Sequence, residues 1–267
     1  MDRPHLYPAL LKYWRRRRGM SQLDLAMVTD VSSRHISFLE TGRSAPSENM
    51  ILRLADTLQV PLREQNQMLV ASGFEAIFEE ENVDAMGDPA IEAALGRMLQ
   101  QQEPYPMVVM DQAYTILRTN RAADAILMQL IAEPAALEPP LNGMELLFDP
   151  RFIRPFIHDW ETVGRELLSR LYRESLNRAE DPRVRDLTER LLRFPGVPKE
   201  WKFPDFSCGQ AAIFSVRLER GPLSLHFMTT VTRFSSPQNV TVEELRIESY
   251  FPMDDATDQT CRALVQP

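Results

Sequence analysis

Gln22-Leu-Asp-Leu-Ala26, then Val31-Ser-Ser-Arg-His-Ile36, then Phe38-Leu-Glu-Thr-Gly42 is the stretch that decides how this chain folds. Ser21 stands before it as a natural N-cap, because its hydroxyl can accept a backbone N–H that the first helical turn leaves unpaired. A helix over Gln22–Val28 follows, with Leu25 and Ala26 at core spacing. After Thr29–Val31, Ser32 is a second cap, opening a helix over Ser33–Glu40 that Gly42 closes. The small Ala26 lets the second helix cross the first tightly, and the short turn aims that second helix outward. Val31, Ile36 and Leu39 anchor it. Its other face is small and polar: Ser32, Ser33, Arg34 and Ser37. Such a face can hydrogen-bond base edges or phosphates in a DNA major groove, and Arg34 suits the bidentate contact to guanine.

Working outward, residues 5–18 read as a helix with Leu6, Leu10, Leu11 and Trp14 on one face, ending in Arg15–Arg18 and stopped by Gly19. Pro46–Ser47 opens a fourth helix carrying Ile51, Leu54, Ala55 and Leu58, and Pro61 a fifth that buries Met68 and Leu69 before Gly73. Five short helices make a small all-helical domain over residues 1–74. The acidic stretch Phe74–Asp88 (FEAIFEEENVDAMGD) reads as a linker, assigned to 75–89, and a second domain fills 90–267. There, Pro89–Gln102 is a helix, Pro106–Asn120 a hairpin around Asp111–Gln112, and Arg121–Ile131 a helix. A proline-rich loop leads to the aromatic cluster Phe148, Phe152, Phe156 and Trp160, followed by helices over Glu161–Ser175 and Pro182–Arg193. Strands are expected over Gln210–Glu219, Leu223–Thr232 and Val242–Tyr250, with Asp255 capping a last helix. The fold class is α+β.

Charge separates the two halves. Residues 1–73 carry 10 Lys and Arg against 7 Asp and Glu (+3), whereas the rest carries 20 against 31 (−11), so the overall −8 is a poor guide to binding. No run of eighteen apolar residues offers a membrane span, and the N-terminus lacks the pattern of a secretion signal. Cys208 and Cys261 are too few and too scattered for a disulfide framework, which suits a reducing cytoplasm.

The density of these features over residues 5–73 resembles the XRE family of helix-turn-helix regulators, the type found in phage repressors. The resemblance implies that Gln22 bonds a DNA phosphate, that Ser33, Arg34 and Ser37 read bases with Ser32 beside them, and that Arg43 contacts a phosphate. It also implies a partly buried ion pair, Arg15 with Glu40. Of Arg16–Arg18, one is expected on a phosphate, assigned here to Arg16; the alternative is a solvated helix end. Ser33-Arg-His-Ile-Ser-Phe-Leu-Glu-Thr-Gly-Arg43, Pro46-Ser47, Val60-Pro-Leu-Arg63 and Ala71-Ser-Gly-Phe74 narrow the likeness to the XRE members with a MmyB-like ligand-binding domain. Over residues 90–264, Pro104-Tyr-Pro-Met-Val108, Asn120-Arg-Ala-Ala123, Leu147–Pro150 and Leu245-Arg-Ile-Glu248 agree. That family's ligand domain is PAS-like, an antiparallel sheet with helices across one face, and the resemblance implies a fatty-acid-like ligand. Where the family often has His-Pro, this chain reads Asp149-Pro150.

The cluster Phe148, Phe152, Phe156 and Trp160, facing Phe214, Leu225 and Phe227, reads either as plain core or as the wall of a ligand pocket, with Arg154 or His226 as receptor for a carboxylate. His35, between Arg34 and Ile36, suits a backbone or phosphate contact, and no cofactor or metal site is expected, since His5, His158 and His226 share no ligand spacing. A peptidase is disfavoured: there is no HExxH, and Lys199 and Lys202 lack a partnering serine. The remaining alternative is a second domain that only dimerises the protein. The expected partners are double-stranded DNA, a small apolar ligand and a second copy of the chain, with no membrane.

Overall fold

The computed structural model describes residues 6–80, 88–176, 181–203, 213–235 and 237–265. Cys208 and His5 lie outside that range. Two compact units emerge, Met1–Glu81 with Ser236–Glu243, and Asn82–Ser235 with Glu244–Pro267.

In the first unit, five helices run α1 (Leu6–Arg17), α2 (Gln22–Thr29), α3 (Ser33–Glu40), α4 (Glu48–Thr57) and α5 (Leu62–Ala71). Their starts follow from side-chain caps: Ser21 on α2, Ser32 on α3 and Ser47 on α4 each accept a hydrogen bond from the third residue of their helix. Asp30, at φ 51°, ends α2 in the left-handed conformation and swings the chain toward α3. The apolar faces converge on a core in which Leu11, Trp14, Leu25, Ile36, Leu39, Ile51, Leu54 and Leu69 are fully buried.

α5 follows Pro61, which supplies no side-chain cap. The carboxylate of Glu243, far along the chain, accepts the Leu62 N–H at 2.9 Å instead. Beside it, Val240 N–H donates to the Glu79 carbonyl at 2.9 Å. The acidic stretch is therefore only partly a linker. Asn66 of α5 holds it, its carboxamide oxygen accepting from the N–H groups of Ile77 and Phe78 and its amide donating to the Phe78 carbonyl at 2.7 Å.

The second unit opens with α6 (Pro89–Gln102), the hairpin of β1 (Met107–Met110) and β2 (Ile116–Thr119), then α7 (Arg121–Leu130) and α8 (Gly143–Phe148). The long helices α9 (Trp160–Leu176) and α10 (Pro182–Arg193) precede β3 (Ser215–Arg220) and β4 (Leu223–Thr232). After α11 (Val240–Glu244) come β5 (Arg246–Pro252) and α12 (Asp255–Val265). All strand pairs are antiparallel, in the order β2-β1-β5-β4-β3. Such an order puts the last strand at the centre with the first beside it, and helices pack on both faces of the sheet, whereas the resemblance implied helices across one face.

Strand alternation separates two cores. Met107, Val109 and Ile247 join Leu245 and Leu95 of α6 in one cluster. Met110, Val216, Leu218, Leu225 and Phe227 belong to the larger cluster built with α7, α8, α9 and α10. Two local expectations need correction. Val242–Glu244 is helical, not strand: the Asn239 carboxamide accepts from Val242 N–H and its carbonyl from Glu243 N–H, so a local cap overrides the β-branched Val-Thr-Val run. The last helix is capped by Asp254, whose carboxylate accepts from Thr257 N–H at 2.8 Å, one residue before the Asp255 expected.

Candidate DNA interface and ligand cavity

Arg15 fixes the geometry of the first unit's outward helix. Its guanidinium meets Glu40 of α3 in a two-pronged pair, Nε to Oε1 at 2.5 Å and Nη2 to Oε2 at 2.9 Å, and its third nitrogen donates to the Met20 carbonyl at 2.6 Å. Both side chains are buried. Gln22, opening α2, donates to the same Glu40 carboxylate at 2.8 Å, so one group ties α1, α2 and α3 together. Burial alone pushes the Glu40 carboxyl up, but hydrogen bonds from Arg15 and Gln22 outweigh it and hold the group below the usual carboxylate range. That bond uses one of the two N–H groups of the Gln22 amide.

On α3, Ser33 and Arg34 are exposed and Ser37, one turn on from Ser33, is half-buried. The Arg34 guanidinium lies 5.2 Å from the centre of the Phe38 ring, a packing contact that orients its planar fork without using its hydrogen-bond donors. Ser32 is exposed but caps α3, accepting from His35 N–H at 3.2 Å. Arg43, just beyond α3, is exposed, and so is Arg16. The rest of the arginine run is occupied. Arg18 donates to the carbonyls of Leu58 and Gln59 at 2.7 Å each, closing the end of α4, and Arg17 lies over Tyr13 and Trp14. Sequence reading missed the Arg18 cap, which joins residues forty apart.

The second unit holds a cavity of about 130 Å³. Val108 and Met110 of β1, Ile126 and Leu130 of α7, Met144 of α8, Leu167 of α9 and Phe227 of β4 wall it. Phe214 also lines it. Phe214 and Phe227 were both expected there from sequence; the other expected ligand residues are not in the lining. Phe148 is fully buried and packs edge-on against Trp160 at 4.8 Å, and Trp160 lies 6.2 Å from Trp201, so this aromatic cluster is core. Phe152 sits in a separate small core with Ile131 and Leu146, Phe156 lies under Arg220 at 4.8 Å, and Leu225 is wholly buried. Arg154 donates from Nη1 to the carbonyls of Phe148 and Pro195, stacks on Trp160 at 4.5 Å and is not in the lining. His226 alternates out of the face that Leu225 and Phe227 share, and stands 3.9 Å from Asp254. Asp149, at the His-Pro departure, pairs with Arg151 at 2.6 Å and is likewise absent from the lining. Burial pushes the Cys261 thiol up to about 11, which leaves it unreactive.

The charged groups on the lining are instead Arg170 of α9 and Glu248 of β5, together with Tyr114 and Tyr250. Behind them Glu174 accepts from Arg246 and from the Tyr114 hydroxyl, each at 2.9 Å. Burial works against charge on Glu174 and Arg170 alike, but the opposite charges around each outweigh it, holding Glu174 low and Arg170 protonated. The sequence signal was present: Arg246, Glu248 and Tyr250 recur at strand period, and Arg170 and Glu174 at helical spacing.

A capped helix pair presenting a polar recognition face, in one chain with a five-stranded antiparallel sheet over a cavity, defines a DNA-binding transcription regulator with a ligand-binding domain. Residues 11–65 match the helix-turn-helix family, of the XRE type, and residues 91–264 match the MmyB-like transcription regulator ligand binding domain. The latter match spans more than half the chain, and the chain belongs to the MmyB-like transcription regulators. No individually curated protein matches it. Among the described residues, no helix is long and apolar enough to cross a membrane.

Proposed function

We propose that this regulator reads operator DNA with α3 and changes its DNA affinity when a small lipid-like molecule fills the cavity of the second unit. The carrying observation is the cavity of about 130 Å³, whose wall is apolar apart from one polar edge. A cavity of about 150 Å³ lined by Leu, Ile and Phe admits benzene, so the space as it stands suits about six carbon atoms. A fatty-acid-like chain gains roughly 0.8 kcal/mol per buried methylene. Met110 and Met144, unbranched and adaptable, are the side chains whose movement would admit a longer one. In this reading Ser33, Arg34 and Ser37 meet base edges, while Arg16, Gln22, Ser32 and Arg43 hold phosphates. The protein works as a cytoplasmic homodimer on an inverted repeat, because one such module reads too few base pairs to find a site alone. It catalyses no reaction.

To regulate, the ligand must bind the DNA-competent and DNA-incompetent states unequally. The test is a titration of ligand-stripped full-length protein against duplexes selected from a random pool, at fixed salt, with and without acyl compounds of increasing chain length. A change in operator affinity that depends on chain length supports the reading. Superimposable curves across the panel overturn it.

A further inference from the structure

The polar edge of the cavity carries a chemical demand of its own. Glu174 takes three guanidinium contacts at 2.9 Å from Arg246 and one hydroxyl from Tyr114. Glu248 is less well served. Its Oε2 stands 3.6 Å from Arg170 Nη2 and 3.9 Å from Arg246 Nε, close enough for attraction but too far for hydrogen bonds. Those same two nitrogens are buried and have no hydrogen-bond partner among the described residues. A pair of guanidinium N–H donors therefore stands short of an acceptor, and one of them belongs to a residue that lines the cavity. Buried polar groups are rarely left so.

We infer that this edge receives the head of the bound molecule, and that the head is uncharged: a carbonyl oxygen accepting from Arg170, with a neighbouring N–H or O–H donating to Glu248, as in a short-chain acyl amide. The inference rests on the cavity reading above and adds the chemistry of the head. Charge balance decides it. Two arginines (Arg170, Arg246) and two glutamates (Glu174, Glu248) cancel, and the remaining groups facing them, Tyr114 and Tyr250, are neutral. An ionised carboxylate would place an unbalanced negative charge beside Glu248, and an ammonium an unbalanced positive charge beside Arg170. Unbalanced buried charge is strongly disfavoured. A neutral head supplies the missing acceptor and leaves the balance intact. A fatty acid would enter as its protonated form, whose head offers the same donor and acceptor as the amide.

Hexanamide, hexanoate and benzene, each titrated calorimetrically into the full-length protein, test this. At pH 7.5 hexanamide should bind at least about tenfold more tightly than hexanoate, and hexanoate should gain about tenfold for each unit of pH lowered toward the carboxyl range. Glu248→Gln, which leaves the edge with net positive charge, should reverse the preference in favour of hexanoate. Hexanoate binding as tightly as hexanamide at pH 7.5 in the unsubstituted protein overturns the inference while leaving the cavity reading in place. So does benzene binding with no added affinity for hexanamide. Failure of all three to bind overturns the cavity reading itself. Should Glu248→Gln not fold, the pH series on the unsubstituted protein decides, since a hexanoate affinity that does not rise on acidification is incompatible with a neutral head.

Discussion

Arg15→Ala should loosen the first unit far more than its position at a helix end suggests. The guanidinium holds Glu40 through buried contacts of 2.5 and 2.9 Å and Met20 through a part-buried one of 2.6 Å. Removing it leaves the Glu40 carboxylate buried with Gln22 as its remaining partner at 2.8 Å. Breaking a buried pair from one side costs about 3–5 kcal/mol. That corresponds to roughly a hundred- to several-thousand-fold faster amide exchange in segments that open only with the whole unit. Hydrogen exchange followed by mass spectrometry reads peptides of α1, α2 and α3 directly in the full-length protein. The double variant Arg15→Met, Glu40→Leu should recover most of the loss, because it removes both charges together. The pH dependence has a defined sign. Since the folded-state pKa of Glu40 is depressed, its contribution is present above the ordinary glutamate range and is lost as pH falls through the folded value. Arg15→Ala should flatten that acid-side loss. A cost under about 1 kcal/mol, or a double variant that loses the sum of the two single ones, would refute the reasoning.

Arg34→Ala should weaken operator binding by about 1–3 kcal/mol and relax selectivity at one base pair of each half-site, whereas Arg43→Ala should weaken all duplexes alike and lower the salt slope by about one. Competitive titrations against single-base operator variants at several salt concentrations separate the two. Gly164→Ala should destabilise the second unit by about 1–3 kcal/mol, since an added Cβ would come within 2.8 Å of Trp201 and 3.0 Å of Trp160; chemical denaturation followed by tryptophan fluorescence checks it. Light scattering at micromolar concentration should give a dimer, and footprints should show two-fold symmetry with half-sites about one helical turn apart.

The helices of the first unit were legible because their signals are local. Ser21, Ser32 and Ser47 announce starts within four residues of the groups they cap, and periodicity places Leu11, Trp14, Ile36 and Leu39 inward. What failed was non-local. The bond from Leu62 to Glu243 spans 181 residues, so nothing near the acidic stretch or near Val240 reveals that both belong with α5. Val242–Glu244 failed for the complementary reason: branched residues favour strand in general, but the Asn239 cap settles the backbone at that place.

The cavity's polar edge was hidden by a bias that serves well elsewhere. A strand reading Arg-Ile-Glu-Ser-Tyr alternates charge with apolar groups, and the ordinary inference is that the charged face meets water. In β5 the charged face is buried too, with Arg246 at 3% and Glu248 at 7% exposure, because β5 is central and helices cover the face it turns toward the cavity. Only the order β2-β1-β5-β4-β3 makes that visible, and the order is not written in any one strand. The aromatic residues left core and pocket both open, and core is what the structure shows. Large apolar groups at Phe148 and Trp160 suggested a pocket, yet their size is what lets them fill space completely, edge to face. The space left open lies elsewhere, among Met110, Met144 and Leu130 together with Phe214, Phe227, Tyr114 and Tyr250. Charge at strand spacing on a central strand, opposite an arginine and a glutamate one helical turn apart, is therefore the more informative sign of the cavity in this chain.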